Sequence, residues 1–430
     1  MKIGIRRENK NKWEKRVPLT PNDMKILIDK YNLQFILQPS PIRIFTDEEY
    51  ISIGAEINEN LSECSPIFAV KEIPLSFFEK DKTYIFFSHT IKGQAYNIPM
   101  LKRMMELKDN LIDYEKVVDK HGKRLIFFGT YAGYAGMIDS FYALGRKLDW
   151  LGITNHFDEI NMAHSYKSLE QAKQAIRKIG QEIARHGLPK EITPFICGFA
   201  GYGHVSTGAQ KIFDLLPYEE ISPKELLTRE LVSYSNKKLY KVIFKEEHIA
   251  RPKNDNDKFE LQDYYHHPEK YISNFEQFIP YLSMLINGIY WDEPYPKLIT
   301  KDYVKNNKLK LLVIGDISCD IEGAIELTVK ATEPDNPIYV YNSSTGEISD
   351  GVEGDGIVIM AVDNLPCEIS KEASIYFSKQ LMKFVPAIAK ADFSSSIEKC
   401  HLPDEIRRAL ILYHGKLTDK FKYMEKFLHL

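Results

Sequence analysis

Hydrophobic residues in the first third of the chain fall into short runs that alternate with helix-like stretches. Proline, glycine, serine or charged residues bound the runs, which are KIGIR, FILQPS, PIFAVKEIP, TYIFFSHT, NLIDYEKV and RLIFFG. Between them lie amphipathic stretches such as TPNDMKILIDKY, in which Thr20 can cap a helix that begins at Pro21. Because strands that alternate with helices are typical of βαβ units, this region predicts a parallel sheet.

The middle of the chain predicts two longer helices followed by a second set of strands. Small and apolar residues at helical spacing indicate a long helix over 132–151, and SLEQAKQAIRKIGQEIARHG indicates an amphipathic helix. Compact apolar runs then predict strands, first TPFICGF and later NKLYKVIF, MLINGIYW, KLLVIGDIS, NPIYVYN and GIVIMAVDN. The polar segment 251–271 is expected to be a loop. We therefore predict an α/β fold with two sheets.

Length and composition favour a two-domain protein that acts on small molecules. A chain of 430 residues is longer than one hydrophobic core usually organises, and 44% of its residues are hydrophobic. Its 57 basic residues nearly balance 60 acidic residues, so the net charge does not indicate nucleic acid or an anionic membrane as a partner. No segment approaches the length of apolar sequence that a membrane span requires.

The cysteines and the N-terminal sequence favour a cytoplasmic protein without a metal. The five cysteines are widely spaced and form no C-x-x-C pair, which disfavours both a disulfide framework and a zinc site. The sequence MKIGIRRENK becomes charged at once and lacks the apolar segment of a secretory signal. We therefore expect a reducing environment, a cytoplasmic location and no bound metal.

The stretch PFICGFAGYGHVSTGAQ, residues 194–210, predicts a strand, a glycine turn and a helix. A dinucleotide-binding turn has the pattern G-x-G-x-x-G, in which the backbone approaches the pyrophosphate and the helix N-terminus faces it. Gly201 and Gly203 fill the first two positions, but Ser206 occupies the third, and Gly208 comes two residues later. The motif alone leaves the question open, because similar turns occur in proteins that bind no nucleotide.

The residues after this helix bear on the choice between NADP and NAD. A carboxylate about twenty residues beyond the turn normally binds the adenine ribose, and Glu219 and Glu220 lie near that distance. The strand is expected to end at Ile221 and Ser222, however, where Ser222 and Lys224 would accept a 2′-phosphate. The sequence therefore favours NADP, and NAD remains the alternative.

Lys71 and His89 directly follow two of the predicted strands. In open parallel sheets, ligands bind at the carboxyl ends of the strands, so this lysine and histidine can share one cleft. Cationic side chains at strand and helix ends can also bind carboxylates in a bidentate manner. Further charged candidates are Arg16, Asp113, Glu115 and Arg124. Considered one at a time, such residues are more commonly solvated or structural than catalytic.

Nine motifs, taken together and in order, resemble one family. They are RRENKNKWEKRVPLTP, VKEIP, FFSHTIKGQ, LIDYEKVVDKHGKRLIFFGTYAGYAGMID, AHSYKSLEQAKQAIRKIGQEI, GHVSTGAQKIF, INGIYWDEPYPKLIT, IGDISCDIEGAIE and VDNLPCEISKEASIYFS. This series is similar to the lysine-ketoglutarate reductase portion of the bifunctional aminoadipic semialdehyde synthase, within the wider saccharopine dehydrogenase and alanine dehydrogenase group. The resemblance covers nearly the whole chain.

The resemblance implies two Rossmann-like domains with parallel sheets, with the nucleotide-binding domain inserted into the substrate domain and the active site in the cleft between them. The expected boundaries are 1–133 for the first part of the substrate domain, 134–325 for the NAD(P)-binding domain, and 326–430 for the segment that completes the substrate domain. The chain would correspond to the reductase half alone, so a separate saccharopine dehydrogenase is expected to act on its product.

The reaction implied by the resemblance joins the ε-amine of L-lysine to 2-oxoglutarate and reduces the imine with NADPH to saccharopine. This chemistry needs groups that hold and pass protons near neutral pH, and the resemblance implies Lys71 and His89 for that role, tuned by Glu72 and Glu115. Histidine titrates in this range, and neighbouring cations lower the pKa of a lysine. Asp316 matches an acidic residue near the bound amine.

The resemblance also implies the residues that bind the substrate carboxylates and the cofactor. Arg16, Lys92 and Arg124 match positions that hold carboxylates, which suits a product that carries three of them. The expected cofactor contacts are Gly201, Gly203, His204 and Val205 in the turn, and Ile286, Asn287 and Gly288 in INGIY. In the lysine-forming relatives the turn ends G-x-x-G-S-G-A, so Ser206 replaces a glycine of that pattern.

Three other functions stay open on the sequence. An NAD-dependent, lysine-forming saccharopine dehydrogenase would use the same catalytic positions in the opposite direction, although FFSHTIK and INGIYW are closer to the reductase. An alanine dehydrogenase is disfavoured, because it needs no pocket for a lysine side chain. A catalytically inactive regulatory domain would be expected to have lost Lys71, His89 or both glycines of the turn, and all of them are present. The sequence does not predict the oligomeric state.

Overall fold

The computed structural model describes residues 2–230 and 233–429, and the chain divides into two compact units. Unit 1 comprises Met1–Phe128 and Ser370–Leu430, and unit 2 comprises Gly129–Ile369. Unit 2 therefore interrupts unit 1 in sequence. Its second boundary lies well beyond the expected residue 325, because three strands over 338–360 pair within the unit 2 sheet. The expected location of an active site in a cleft between domains stays a prediction.

The strands form two eight-stranded sheets and one two-stranded sheet. Within the described residues they are β1 (Lys2–Ile5), β2 (Gln34–Leu37), β3 (Glu56–Ile57), β4 (Ile67–Phe68), β5 (Thr83–Phe86), β6 (Asn110–Asp113), β7 (Ile196–Ala200), β8 (Tyr218–Glu220), β9 (Leu239–Phe244), β10 (Ala250–Pro252), β11 (Tyr271–Ser273), β12 (Met284–Asn287), β13 (Val313–Asp316), β14 (Ile338–Tyr341), β15 (Ile348–Asp350), β16 (Ile357–Met360), β17 (Leu410–Tyr413) and β18 (Lys416–Leu417).

The α-helices connect and cover these strands. In the part of the chain that the structure describes they are α1 (Pro21–Tyr31), α2 (Asp47–Ile51), α3 (Ile98–Glu106), α4 (Gly129–Trp150), α5 (Leu169–His186), α6 (His204–Phe213), α7 (Pro223–Thr228), α8 (Glu246–Ile249), α9 (Leu261–His266), α10 (Lys301–Asn306), α11 (Ser370–Leu381), α12 (Val385–Lys390) and α13 (Asp404–Arg407). As the sequence predicts, Thr20 caps α1 by accepting a hydrogen bond from the backbone N–H of Asp23 at 3.3 Å.

The unit 1 sheet has the strand order β18-β17-β6-β5-β4-β1-β2-β3. Strands β1 to β6 pair in parallel, and β17 pairs antiparallel to β6, so the C-terminal segment completes the sheet. Every residue of β5 and β6 is buried, as expected for parallel strands covered on both faces. Phe377 of α11 packs between Phe128, Tyr114 and Phe87 and fixes this helix against the strand ends.

The unit 2 sheet has the order β15-β14-β16-β13-β12-β7-β9-β8 and is parallel except at β14 and β15. Its two faces bury separate apolar clusters, because successive residues of a strand point to opposite sides. Cys197 and Phe199 of β7 belong to one cluster, whereas Ile196 and Ala200 belong to the other. The two mostly parallel sheets confirm the predicted α/β fold class.

The segment 251–271 contains regular structure, so its prediction as a loop is wrong. Strands β10 and β11 pair antiparallel, and α9 lies between them in sequence. Tyr264 and Tyr271 are buried and form an edge-to-face pair with ring centroids 5.2 Å apart. Aromatic residues scattered through a polar sequence thus build a small core that hydrophobic periodicity does not reveal.

Helices α4 and α6 pack with their backbones in contact, because both carry a glycine at the crossing. A Cβ added to Gly133 would lie 2.0 Å from the carbonyl oxygen of Val205, and a Cβ added to Gly208 would lie 2.3 Å from that of Thr130. A side chain at either position would therefore force the helices apart. Gly208, two residues beyond the third position of the turn motif, thus allows α6 to approach α4 closely.

We predict that Gly208→Ala destabilises unit 2 by about 1–3 kcal/mol, the usual cost of overpacking a close contact. Gly203→Ala is the matched control, because a Cβ there meets no atom within 4 Å and the residue has a φ of −74°. Urea unfolding followed by circular dichroism measures both variants. Equal losses of stability in the two variants would contradict the backbone contact between α4 and α6.

Candidate functional site

In unit 1, three chemically active side chains follow two adjacent parallel strands. Lys71 and Glu72 come shortly after β4, and His89 comes shortly after β5. The Nδ1 atom of His89 lies 2.6 Å from Oε1 of Glu72. His89 has a φ of 47°, a backbone conformation that non-glycine residues seldom adopt and that recurs at functional sites. The structure therefore brings two of the expected residues into direct contact.

The position of His89 depends on a hydrogen-bond network at the ends of β5 and β6. Asp113 is buried and accepts the backbone N–H of Ser88 at 3.0 Å and that of Glu115 at 2.7 Å. The side-chain amide of Asn97 donates to the carbonyl oxygen of Ser88 at 2.9 Å. Asp113, a candidate for chemistry in the sequence, therefore holds the backbone beside His89.

Lys71 and Glu72 both have pKa values below their usual ranges. Burial lowers the pKa of the Lys71 amine, and the positive charges of Arg16 and Lys10 lower it further. Burial alone would raise the pKa of Glu72, but its hydrogen bond with His89, together with the charges of His89 and Lys10, lowers the pKa below the usual range. The pair therefore combines a more easily deprotonated amine with a firmly ionised carboxylate.

The three cations expected to bind carboxylates lie in different environments. Arg16 is buried and its guanidinium forms two hydrogen bonds with the carboxylate of Glu14, one of them from Nε at 2.7 Å. The guanidinium of Arg124 is exposed and donates to Glu115 Oε1 at 2.6 Å. Lys92 is exposed just after His89. Sequence reasoning missed Glu14, although its spacing two residues before Arg16 allows the bidentate contact.

In unit 2, the glycine turn has the geometry of a dinucleotide site. Gly201 follows β7 with a φ of 91°, and its N–H donates to the carbonyl oxygen of Phe244 at 2.9 Å. Gly203 precedes α6, no side chain caps this helix, and the space beside Gly203 is open. His204 and Val205 form the first turn of the helix. Uncapped N–H groups at a helix N-terminus facing open space suit a pyrophosphate.

Ser206, at the third glycine position, is buried without disturbing the turn. Its hydroxyl donates to the carbonyl oxygen of Gly201 at 2.7 Å and accepts from the side-chain amide of Gln210 at 3.1 Å. A Cβ added to Gly288 would lie 3.1 Å from the backbone nitrogen of Ser206. The absence of a side chain at Gly288 therefore leaves room for the serine beside the end of β12.

The predicted cofactor residues at the end of β12 lie against Asp316. Ile286 and Asn287 are buried, and the side-chain amide of Asn287 donates to Oδ1 of Asp316 at 2.8 Å. Thr328 donates to Oδ2 of Asp316 at 2.6 Å. Burial raises the pKa of Asp316 to about 6, although these hydrogen bonds favour its ionised form. Asp316 thus titrates near neutral pH, and its expected position near a bound amine stays a prediction.

The strand order changes the interpretation of Ser222 and Lys224. Strand β8 pairs with β9 at the edge of the sheet, so β9 and not β8 is the neighbour of β7. Strand β8 ends just before Ile221 and Ser222, as the sequence predicts, and the binding of a 2′-phosphate by Ser222 and Lys224 stays a prediction. Ser222 caps α7, where its hydroxyl donates to Oε2 of Glu225 at 2.7 Å and accepts the N–H of Glu225 at 3.2 Å.

Two residues that sequence reasoning missed follow β9, beside the glycine turn. Lys245 is exposed, and the next residue, Glu246, accepts hydrogen bonds from the phenols of Tyr265 at 2.6 Å and Tyr202 at 3.4 Å. A side chain at the end of the strand next to the first nucleotide-binding strand commonly distinguishes NAD from NADP. The signal was present in the sequence, but using it required the strand order.

Within residues 2–230 and 233–429, no helix combines the length and the apolar character needed to cross a membrane. The same residues contain no group of three or more His, Cys, Asp or Glu side chains that could hold a metal ion.

Known protein families and solved structures match residues in both units. The model of the alanine dehydrogenase/PNT N-terminal domain matches residues 4–135, and that of the C-terminal domain matches residues 241–420, together more than half of the chain. A solved L-alanine dehydrogenase has a TM-score of 0.64 at 18% identity and covers 100% of both chains. A transhydrogenase from Sinorhizobium meliloti has a TM-score of 0.58 at 14% identity, over 97% of this chain and 100% of that one. These similarities show the fold.

Closer similarity appears among curated proteins. The chain is 38% identical to the alpha-aminoadipic semialdehyde synthase of Arabidopsis thaliana, over 99% of this chain and 41% of that protein. It is 37% identical to the mitochondrial alpha-aminoadipic semialdehyde synthase of Rattus norvegicus, over 99% of this chain and 47% of that protein. The chain thus spans about half the length of these relatives. The saccharopine dehydrogenase (NAD+, L-lysine-forming) of Yarrowia lipolytica is 27% identical, over 91% of this chain and 93% of that protein.

The family matches, the fold and these relatives confirm the resemblance found in the sequence. The nucleotide-binding fold of unit 2 implies the use of NAD(P). The chain belongs to the alanine dehydrogenase/PNT family of oxidoreductases, and within it resembles the saccharopine dehydrogenases and part of alpha-aminoadipic semialdehyde synthase.

Proposed function

We propose that the chain is a lysine-ketoglutarate reductase, which condenses L-lysine with 2-oxoglutarate and reduces the imine with NADPH to saccharopine. The observation that carries the proposal is the contact between His89 and Glu72 beside Lys71, whose pKa is lowered. The similarity to alpha-aminoadipic semialdehyde synthase over 99% of the chain supports the choice of substrates. A cytoplasmic location and a separate enzyme for the product stay predictions.

The reaction requires several proton transfers at one place. The ε-ammonium of lysine loses a proton, its nitrogen forms a bond to the keto carbon, and the resulting carbinolamine releases water after its hydroxyl is protonated. When bound, the reduced dinucleotide supplies the hydride that the iminium carbon accepts. Each turnover thus consumes one lysine, one 2-oxoglutarate, one NADPH and one proton, and it yields saccharopine, NADP+ and water. Groups that exchange protons near neutral pH accelerate such steps.

The residues of unit 1 suit these steps. A neutral Lys71 amine can accept the proton from the substrate ammonium, and its pKa is lowered by burial and by neighbouring cations. His89 can deliver a proton to the leaving hydroxyl, and Glu72 supplies the opposite charge at 2.6 Å. Glu115 accepts from Arg124, so it sets the position of a cation expected to bind a substrate carboxylate.

The three carboxylates of the product have three expected cationic partners. We propose that Arg16, Lys92 and Arg124 bind them, with Arg16 held rigid by Glu14 and the other two exposed for contact. Asp316, whose pKa lies near neutrality because of its burial, is proposed to face the amine. In unit 2, the proposed pyrophosphate contacts are the uncapped N–H groups that follow Gly203.

The second candidate is an NAD-dependent, lysine-forming saccharopine dehydrogenase. Glu246 favours it, because a carboxylate at the end of β9 accepts ribose hydroxyls and repels a 2′-phosphate. The neighbouring Lys245 favours NADPH, because its ammonium can pair with that phosphate. We propose NADPH on this basis, in place of the support that the sequence drew from Ser222 and Lys224. An inactive regulatory domain is the remaining alternative.

Initial rates of dinucleotide oxidation test the proposed reaction. We expect oxidation of NADPH when 2-oxoglutarate and L-lysine are both present, slower oxidation of NADH, and no oxidation with ornithine or without an amine. The product is identified as saccharopine by mass spectrometry. Absence of oxidation under every condition would exclude both dehydrogenase functions and leave the inactive domain.

Variants of the catalytic pair complete this test. Lys71→Met and His89→Ala are expected to lower turnover about 100-fold or more, the usual contribution of a general acid or base, with dinucleotide affinity unchanged. Lys80→Met and His121→Ala are the matched controls, because both residues are exposed in unit 1. Unchanged turnover in Lys71→Met or His89→Ala would remove that residue from its proposed role.

The choice of dinucleotide is tested by variants after β9 and β8. We expect Lys245→Ala to raise the KM for NADPH about tenfold, the loss of roughly one charge-assisted hydrogen bond, with little change for NADH. Glu246→Gln should improve the use of NADPH relative to NADH, because it removes a negative charge near the 2′-phosphate. Lys224→Ala is the control and should change neither. A rise in KM for NADPH in Lys224→Ala but not in Lys245→Ala would restore the prediction made from the sequence.

A further inference from the structure

Glu8, in the motif RRENK shortly after β1, forms hydrogen bonds to the backbone of the segment that carries Lys71. Its Oε1 accepts the backbone N–H of Val70 at 2.7 Å, and its Oε2 accepts the N–H of Lys71 at 3.0 Å. The backbone ladder between β1 and β4 extends only as far as Arg6, whose N–H donates to the carbonyl oxygen of Phe68 at 2.9 Å. Beyond that point, where β1 and β4 no longer pair, the hydrogen bonds to the Glu8 side chain connect the two segments.

Glu8 is an unusual choice for a structural link, because it is only 6% exposed. Burial of an ionised carboxylate is costly unless hydrogen bonds compensate for the lost water. Burial, together with the negative charge of Glu14, raises the pKa of Glu8 to about 7, although the N–H of Val70 and the charge of Arg6 oppose the shift. The charge of this carboxylate is therefore expected to depend on pH near neutrality.

The groups that face Glu8 come from three parts of unit 1. Arg6 lies on the extension of β1, and Glu14 lies in the following loop, where it is paired with Arg16. Tyr114, which follows β6, has a buried hydroxyl without a hydrogen-bond partner, and burial followed by the charge of Glu8 raises its pKa. The surroundings therefore contain charges of both signs, and the two backbone N–H groups are the contacts specific to the carboxylate.

We propose that Glu8 is a positioning residue for Lys71, and that ionisation of Glu8 strengthens its hold on the Lys71 backbone. Both oxygens of Glu8 accept N–H groups, so a proton on either oxygen competes with one of these hydrogen bonds, and hydrogen bonds to an ionised acceptor are stronger. The direction in which the Lys71 amine leaves the end of the strand depends on this backbone. The proposal rests on the proposed role of Lys71.

Hydrogen exchange tests the backbone contact without reference to catalysis. The peptide that covers Val70 and Lys71 is followed by mass spectrometry in the full chain, with rates corrected for intrinsic pH dependence. In the wild type we expect protection to increase as pH rises from 6 to 8. In Glu8→Gln, exchange should be about tenfold faster at pH 8 and independent of pH, because glutamine replaces one of the two acceptor oxygens by an NH2 group, which cannot accept an N–H. Glu63→Gln, an exposed glutamate of unit 1, is the control. Unchanged protection in Glu8→Gln would overturn the proposal.

Kinetics then test the consequence for Lys71. We expect Glu8→Gln to lower kcat about tenfold, to leave dinucleotide affinity unchanged, and to remove a limb of the pH–rate profile near pH 7. If exchange responds to Glu8→Gln while kcat and the pH profile do not, Glu8 is not a positioning residue for the reaction. If the wild type lacks lysine-dependent oxidation, the proposed function fails, and the exchange measurement still decides whether Glu8 holds the Lys71 backbone.

A second buried acid pair lies in unit 2 and is independent of the reaction. Asp139, inside α4, accepts the N–H of Ala163 at 2.7 Å, and Glu368, just before the end of unit 2, accepts the N–H of His164 at 3.2 Å. Oδ2 of Asp139 and Oε1 of Glu368 are buried and have no hydrogen-bond partner, and the negative charge of Glu368 raises the pKa of Asp139. Because ionised carboxylates are acceptors only, these two oxygens can satisfy each other only if one of the two groups carries a proton.

We infer that Asp139 and Glu368 share one proton and thereby tie α4 to the last residues of unit 2. The other titratable groups that face the pair are His164, whose Nδ1 lies 3.5 Å from Oε2 of Glu368, and Tyr166, whose pKa is raised by burial and by the charge of Asp139. Burial raises the pKa of both carboxyl groups, most strongly that of Asp139, where the charge of Glu368 adds to it.

A raised pKa means that the pair stabilises the folded chain at low pH and loses that contribution as pH rises through the folded value. Glu368→Gln keeps a donor for Asp139 without an ionisable proton. We expect its unfolding equilibrium constant in urea to match the wild type at pH 6 and to be about tenfold smaller at pH 9.5. Asp139→Asn provides a second variant with the same expectation, and Glu347→Gln, exposed in unit 2, is the control. If both variants lose stability with pH in parallel with the wild type, no proton is shared.

Discussion

The chemistry of unit 1 depends on one constraint, namely that its parallel strands all end at the same edge of the sheet. The order β6-β5-β4-β1 places the residues after each strand side by side, although they are far apart in sequence. Lys71, Glu72 and His89 reach this edge from β4 and β5, and Asp113 and Glu8 hold their backbone segments from β6 and β1. The contact between Glu72 and His89 is therefore formed by residues that follow two adjacent strands of the sheet.

Burial then sets the properties of these charges. A buried ion pair gains from low dielectric but must first lose water, so each charge needs a close partner. Arg16 has Glu14 and His89 has Glu72. Burial lowers the pKa of Lys71, and two neighbouring cations lower it further, although two carboxylates oppose the shift. The same burial that destabilises the Lys71 ammonium raises the pKa of Glu8. Burial in the same region therefore shifts the pKa values of Lys71 and Glu8 in opposite directions, and in each case it favours the uncharged form.

Local sequence patterns predicted the helices and strands. Features that depend on pairing between strands far apart in sequence could not be predicted in this way. Alternating apolar runs predicted both sheets, and the cap at Thr20 predicted the start of α1, because these signals lie within a few residues. The sequence did not show that β8, the strand that follows α6 along the chain, lies at the edge of the sheet with β9 between it and β7. The contact of His89 with Glu72 could be anticipated from the resemblance. The contacts of Glu8 and Glu246 could not, since both depend on which strands lie side by side.

The glycine turn shows why motif spacing alone left the cofactor undecided. Each glycine of the pattern G-x-G-x-x-G leaves space for one close approach. In this chain a different set of glycines provides such spaces. Gly201 and Gly203 lie at the two positions that the motif reserves for the turn of the backbone and for a pyrophosphate. Gly208 allows α6 to contact α4, and Gly288 leaves room for Ser206. The Ser206 hydroxyl donates a hydrogen bond to the carbonyl oxygen of Gly201 and stabilises the turn. A serine at the third position is therefore compatible with a dinucleotide site wherever glycines from neighbouring elements provide the space, and a search for the motif in one segment cannot detect them.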